Sequence, residues 1–191
     1  MTTTLIKNFR KYRSEKFGGI GKRLRNIGIT ANILTACSLV SGLIAVYYLF
    51  NNYSLFVLFT LLHLLFDAFD GVVARISKAT RFGKYFDLGS DSLITLLALL
   101  KTGWFLENYY VFIASGLFLI ALVIHFKTAL QSPIIYLRTP TLLVLMVVTT
   151  KQFVYAQELF IAGYLAVGMV SLYSLAAQAR WFVKKQQDSK S

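Results

Sequence analysis

Four aspartates, Asp67, Asp70, Asp87 and Asp91, fall within 25 residues of a chain that has eight acidic residues in all. They stand among apolar runs such as Phe56 to Phe66 and Leu93 to Leu100. In such surroundings an ionised carboxylate costs several kcal/mol unless positive charge compensates it. Four carboxylates together therefore imply bound cations. Oxygen-only ligands select hard ions, and the stretch has neither a Cys cluster nor a His pair to favour zinc, so magnesium or manganese is expected. One divalent ion would leave the group with net negative charge. Two are expected, a pairing that clamps phosphoryl oxygens during displacement.

The spacing tells how the carboxylates are carried. Asp67 and Asp70 are three apart, Asp67, Gly71 and Ala74 follow at four and three, and Gly83, Asp87 and Asp91 are spaced by four, so each set makes one stripe of a helix. A connection at Ser77–Phe82 would fold the two helices into an antiparallel hairpin with the stripes facing each other. Small residues on those stripes leave room for a phosphate-bearing ligand, and Arg75 sits where it can meet phosphate charge. A second reading stands beside this one. Small residues also serve close helix packing, and the aspartates can pair with Arg75, Lys78, Arg81 or Lys84 in a structural network.

The carrier is a membrane protein by composition. With 57% hydrophobic and 15% charged residues in 191, the chain is too apolar for a water-soluble domain of its size. The expected fold is all-α, with six transmembrane helices near Asn32–Phe50, Tyr53–Ile76, Lys84–Leu106, Tyr109–Phe126, Pro133–Thr150 and Glu158–Val183. The fifth is the weakest, being interrupted by Arg138 and Pro140. Asn51-Asn52 is the clearest turn signal. No cleavable signal segment is expected. Eighteen of the twenty Lys and Arg fall on one side of this topology, leaving Lys101 and Lys151 on the other. By the positive-inside rule both termini and the aspartates are then cytoplasmic.

Residues 1–30 form a basic arm, and residues 31–191 the membrane domain. Within the arm Leu5, Ile6, Phe9, Tyr12, Phe17 and Ile20 interleave with eight basic residues, which predicts an amphipathic interfacial helix before a break at Gly18-Gly19; a solvated arm is the alternative. The net charge of +12, placed next to membrane spans, points to anionic lipid head groups and not to nucleic acid. Cys37, the only cysteine, excludes an intramolecular disulfide and is expected to be a small packing residue. His63 is expected to be a hydrogen-bonded core histidine. His125 is open between an acceptor pocket and an interfacial role.

The residues Asp67-x2-Asp70-Gly71-x2-Ala74-Arg75-x7-Gly83-x3-Asp87-x3-Asp91 match every fixed position of a known signature. It resembles that of the CDP-alcohol phosphotransferases, membrane enzymes that make phospholipid head groups. The resemblance implies a homodimer of six-helix chains. It also implies two divalent metals on Asp67, Asp70, Asp87 and Asp91, with Asp91 also accepting the proton of the attacking hydroxyl. Gly71 and Arg75, with Ala74 and Gly83 on the same stripes, would contact the CDP moiety, and Thr80 the nucleotide–lipid. The stretch Thr30–Thr35 is similar to the family's Pro-Asn-x-x-Thr entry, suggesting nucleotide contacts from Asn32 and Thr35, although Ala31 replaces the proline.

The implied activity moves a phosphatidyl-type group from a CDP-linked lipid to a small polar alcohol, with release of CMP. Leu88 and Ser92 depart from the residues typical of glycerol-phosphate members, and Ser92 from those of inositol-phosphate members. Asn32, Thr35 and Gly42 look closer to serine-transferring members. Glycerol 3-phosphate or inositol phosphate as acceptor, or a CDP-alcohol acting on diacylglycerol, remain alternatives. A phosphorylated acceptor would want Arg81, Lys127 or Arg138, which can equally be positive-inside anchors. Outside this family stand an intramembrane prenyltransferase and a cation transporter. The first usually needs more spans, and the second needs acidic residues continuing across the membrane.

Overall fold

The computed structural model describes residues 19–77, 80–150 and 154–188, and all regular structure among them is helical. In order come α1 (19–26), α2 (Ala31–Tyr48), α3 (Tyr53–Ser77), α4 (Arg81–Leu106), α5 (Tyr109–Lys127), α6 (Arg138–Val148) and α7 (Ala156–Asp188). Each of the six expected spans is thus a helix. Among the described residues four of them, α2, α3, α5 and α7, are long and apolar enough to cross a membrane, as an integral membrane protein requires. Composition sets α4 apart, since its 26 residues include Arg81, Lys84, Asp87, Asp91 and Lys101. Length sets α6 apart, with 11 residues.

The helix starts are written in the local sequence. Thr30 accepts the Ile33 N–H at the head of α2, Asn52 the Leu55 N–H at the head of α3, and Thr80 the Gly83 N–H at the head of α4. Asn108 does the same for Tyr110 before α5. These side chains satisfy backbone donors that have no partner inside the helix. The Asn51-Asn52 turn is present, with Phe50 at φ 71 and both asparagine N–H groups on the Tyr48 carbonyl. The fifth span is shorter than expected. Ala129 and Leu130 have positive φ and residues 133–137 are not helical, so α6 starts at Arg138 and takes Pro140 into its first turn, where no intrahelical bond is lost.

The arm differs from expectation where it is described. Gly19 lies inside α1, and the chain turns at Ile27–Gly28, where Gly28 adopts φ +84. Residues 1–18, with Gly18 and most of the expected amphipathic stripe, lie outside the described residues, as do Lys78 and Lys151. Cys37 is exposed, not packed.

Two compact units make up the chain, Met1–Ala45 with Val57–Asp91 and Val46–Phe56 with Ser92–Ser191. In the first, α1 seats on α3 through Gly21. A Cβ there would come within 2.8 Å of both Val72 and Ile76 side chains, so only glycine permits the approach. In the second, α5 and α6 both pack on α7 around Leu99, Ala114, Phe118, Leu137 and Val167. Lys101 donates to the Val46 and Tyr47 carbonyls at 2.9 and 2.7 Å, placing a cation at the carbonyl end of α2.

Candidate metal centre

Asp67 on α3 and Asp87 and Asp91 on α4 bring one carboxylate oxygen each to within 4.8 Å of one another. All three are half-buried. Such a trio suits a divalent cation, because hard oxygen donors at this separation can share one ion, and unneutralised they repel. The helical stripes read from the sequence therefore do face each other in the first unit.

Asp70 is not one of the trio and is more deeply buried, at 5% exposure. Its Oδ2 accepts a 2.8 Å hydrogen bond from the Thr35 hydroxyl. That hydroxyl has one proton and also lies 3.1 Å from the Ala31 carbonyl, and the shorter contact to a charged acceptor takes it. Thr35 thus orients a carboxylate, a role the sequence reading did not give it. One turn further along α2, Ser38 donates to the His63 carbonyl while His63 Nδ1 lies 2.9 Å from the Ser38 carbonyl. His63 is fully buried and, as expected, a hydrogen-bonded core residue. Polar residues of α2 at positions 35 and 38 therefore tie down α3, which carries Asp67 and Asp70.

Beside the carboxylates lies a cavity of about 410 Å³. Asn32, Thr35, Asp70, Gly71, Ala74, Thr80, Gly83 and Asp87 line it, all of them expected site residues. Gly83 is explained by space. A Cβ there would sit 3.0 Å from Asn32 Oδ1 and 3.1 Å from Thr80 Oγ1, so any side chain would press on both. Arg75 is exposed and outside the lining, with its Nε on the Gly71 carbonyl at 2.6 Å. Arg81 is exposed at the start of α4 and also outside the lining.

Two cations that the sequence reading did not place among the site residues line the cavity, Arg25, counted only among the basic residues of the arm, and Lys84, named only as a possible partner of the aspartates. Lys84 shares the stripe of Asp87 and Asp91, a spacing that was visible. Arg25 follows Gly21 by one turn, a signal hidden among eight basic residues of the arm. The remaining acceptor candidates belong to the second unit. Lys127 ends α5 exposed and Arg138 begins α6 half-buried. In the last turn of α5 His125 is buried, with Nδ1 2.5 Å from the Ser132 carbonyl and Nε2 3.1 Å from the Tyr136 hydroxyl, which pins the segment joining α5 to α6.

Residues 28–177 match the family model of CDP-alcohol phosphatidyltransferase. Neither a curated protein nor a solved structure matches the chain significantly. The matched span begins at the turn after α1 and contains every aspartate of the site.

Proposed function

Because the chain belongs to the CDP-alcohol phosphatidyltransferase family, transferases of phosphate-containing groups that work in phospholipid synthesis, we propose that it moves a phosphatidyl-type group from a CDP-linked lipid to a small polar alcohol and releases CMP. The observation that carries this reading is the convergence of Asp67, Asp87 and Asp91 beside a cavity walled by Asp70, Gly71 and Gly83.

The family uses divalent cations, and the carboxylate trio is a donor set that suits them. Asp67, Asp70, Asp87 and Asp91 hold two, Mg2+ or Mn2+, which when bound offset the charge of the pyrophosphate and stabilise departing CMP. Asp70 is set in place by Thr35. Asp91 accepts the proton of the acceptor hydroxyl as its oxygen bonds to the β-phosphorus, and the bond from that phosphorus to the bridging oxygen breaks toward CMP. Gly71, Ala74 and Gly83 admit the nucleotide, with Asn32 and Thr80 at its edge, and Arg75 contacts the CDP moiety.

The acceptor proposed is serine, on the strength of Asn32, Thr35 and Gly42, with Ser92 departing from the residues of the glycerol- and inositol-phosphate members. Glycerol 3-phosphate or inositol phosphate would call on Arg81, Lys127 and Arg138. The protein works as a homodimer with six spans, residues 1–30 lying on the membrane surface and both termini and the site facing the cytoplasm. The test is purified protein with labelled CDP-diacylglycerol or CDP-archaeol, Mg2+ or Mn2+, and a panel of serine, glycerol 3-phosphate, inositol phosphate, inositol and glycerol. CMP release that depends on serine supports the full reading, and dependence on another acceptor corrects the acceptor alone. No CMP release with any acceptor sinks it.

A further inference from the structure

We propose that Arg25, on the arm helix outside the matched family span, is a specificity-determining residue that reads the acceptor edge of the cytosine ring. This rests on the CDP-linked substrate proposed above. Arg25 lines the cavity, and its Nη1 donates to the Ile76 carbonyl at 3.2 Å. Gly21, one turn earlier, presses α1 against Val72 and Ile76, so the arginine stands on an element seated firmly on α3. The bond to Ile76 occupies one of five guanidinium N–H groups and leaves a planar fork for a ligand.

Position decides which part of the ligand that fork meets. Ile76 follows Asp70 by six residues, about 9 Å along a helix axis, so Arg25 stands near the opposite end of the cavity from the carboxylates. A diphosphate held beside Asp70 and Asp87 is nearer to Lys84, on the turn before Asp87, than to Arg25. The lining also carries the Ser77 and Thr80 hydroxyls, polar groups suited to the nucleoside half of the substrate. Cytosine presents two adjacent acceptors, O2 and N3, which match a guanidinium fork. Uracil carries a hydrogen on N3 and would set donor against donor. Arg25 therefore discriminates between the two bases as well as holding one.

The test is binding of CMP and of UMP to the full chain in detergent with Mn2+ present, measured by calorimetry for wild type, Arg25→Ala and Arg25→Lys. The wild type is expected to prefer CMP, and Arg25→Ala to lower that preference by between about 5- and 150-fold, mainly through weaker CMP binding. Arg25→Lys, which keeps the charge but loses the fork, is expected to lose most of the preference too while unfolding at the wild-type temperature. Equal weakening of CMP and UMP overturns the assignment, because the contact would then be to the shared ribose phosphate. Unchanged preference in both variants overturns it as well. A wild type that binds neither nucleotide overturns the CDP-linked reading itself and this proposal with it.

Discussion

Both units of the chain hold cavities, and the wall of the one beside the carboxylates differs in kind from that of an apolar one in the second unit. In the first, about 410 Å³ is bounded by Asp70, Asp87, Arg25 and Lys84 among small residues. In the second, about 110 Å³ is bounded by apolar side chains such as Leu99, Val111, Leu137, Val144 and Val167. One wall is arranged to hold charge, the other hydrocarbon. The contrast extends to how the helices are joined. Around the carboxylates hydrogen bonds run from α2 to α3, whereas α5, α6 and α7 meet around an apolar cluster, with one buried hydrogen bond from Gln178 Nε2 to the Ala121 carbonyl joining α7 to α5. A bilayer offers little hydrophobic drive for packing, so polar links between helices are how a charged site is held in register.

That difference can be broken at graded cost. Asp91→Asn should reduce turnover by about 100- to 10,000-fold while CMP binding persists, since the amide can still offer an oxygen to a metal but cannot take the hydroxyl proton. Steady-state rates of CMP release, compared with calorimetry, check this, and undiminished turnover removes Asp91 from the role. Asp67→Ala and Asp70→Ala should abolish metal-dependent CMP binding, as should chelation of the wild type, and binding unaltered by any of the three counts against ligation. Thr35→Val leaves Asp70 without its hydroxyl donor and should weaken Mn2+ affinity by roughly 10- to 100-fold, read from a metal titration. Gly83→Ala presses on Asn32 and Thr80 and should cost about 1–3 kcal/mol, divided between stability and nucleotide affinity, so that neither changing would undo the packing argument. Smallest of all, Val144→Ala in the apolar wall should leave CMP affinity within about threefold, well under the 1.4 kcal/mol of a tenfold change.

The sequence made the site's outline legible because buried carboxylates in an apolar chain demand compensation wherever they stand. Stripes at three and four also locate Gly71, Ala74 and Gly83 without any tertiary knowledge. Pairings across distant positions were out of reach. Thr35 and Asp70 are 35 residues apart, and a threonine in a membrane helix carries no mark of its partner. Arg25 was hidden for a different reason, since its charge serves the positive-inside bias as well as a cavity wall. Arg75 shows the reverse, a residue of the matched signature whose Nε is tied to the helix backbone outside the cavity lining. Helix boundaries followed local chemistry. Thr30, Asn52, Thr80 and Asn108 are readable caps, whereas the late start of α6 depends on the backbone of Ala129 and Leu130, residues that seldom adopt positive φ.

The most direct test is Mn2+ located by anomalous scattering in crystals grown with CMP. The account predicts a peak coordinated by Asp67, Asp87 and Asp91 and a second reaching Asp70. Carboxylates turned away from one another, with no manganese among them under saturating metal and nucleotide, would contradict it.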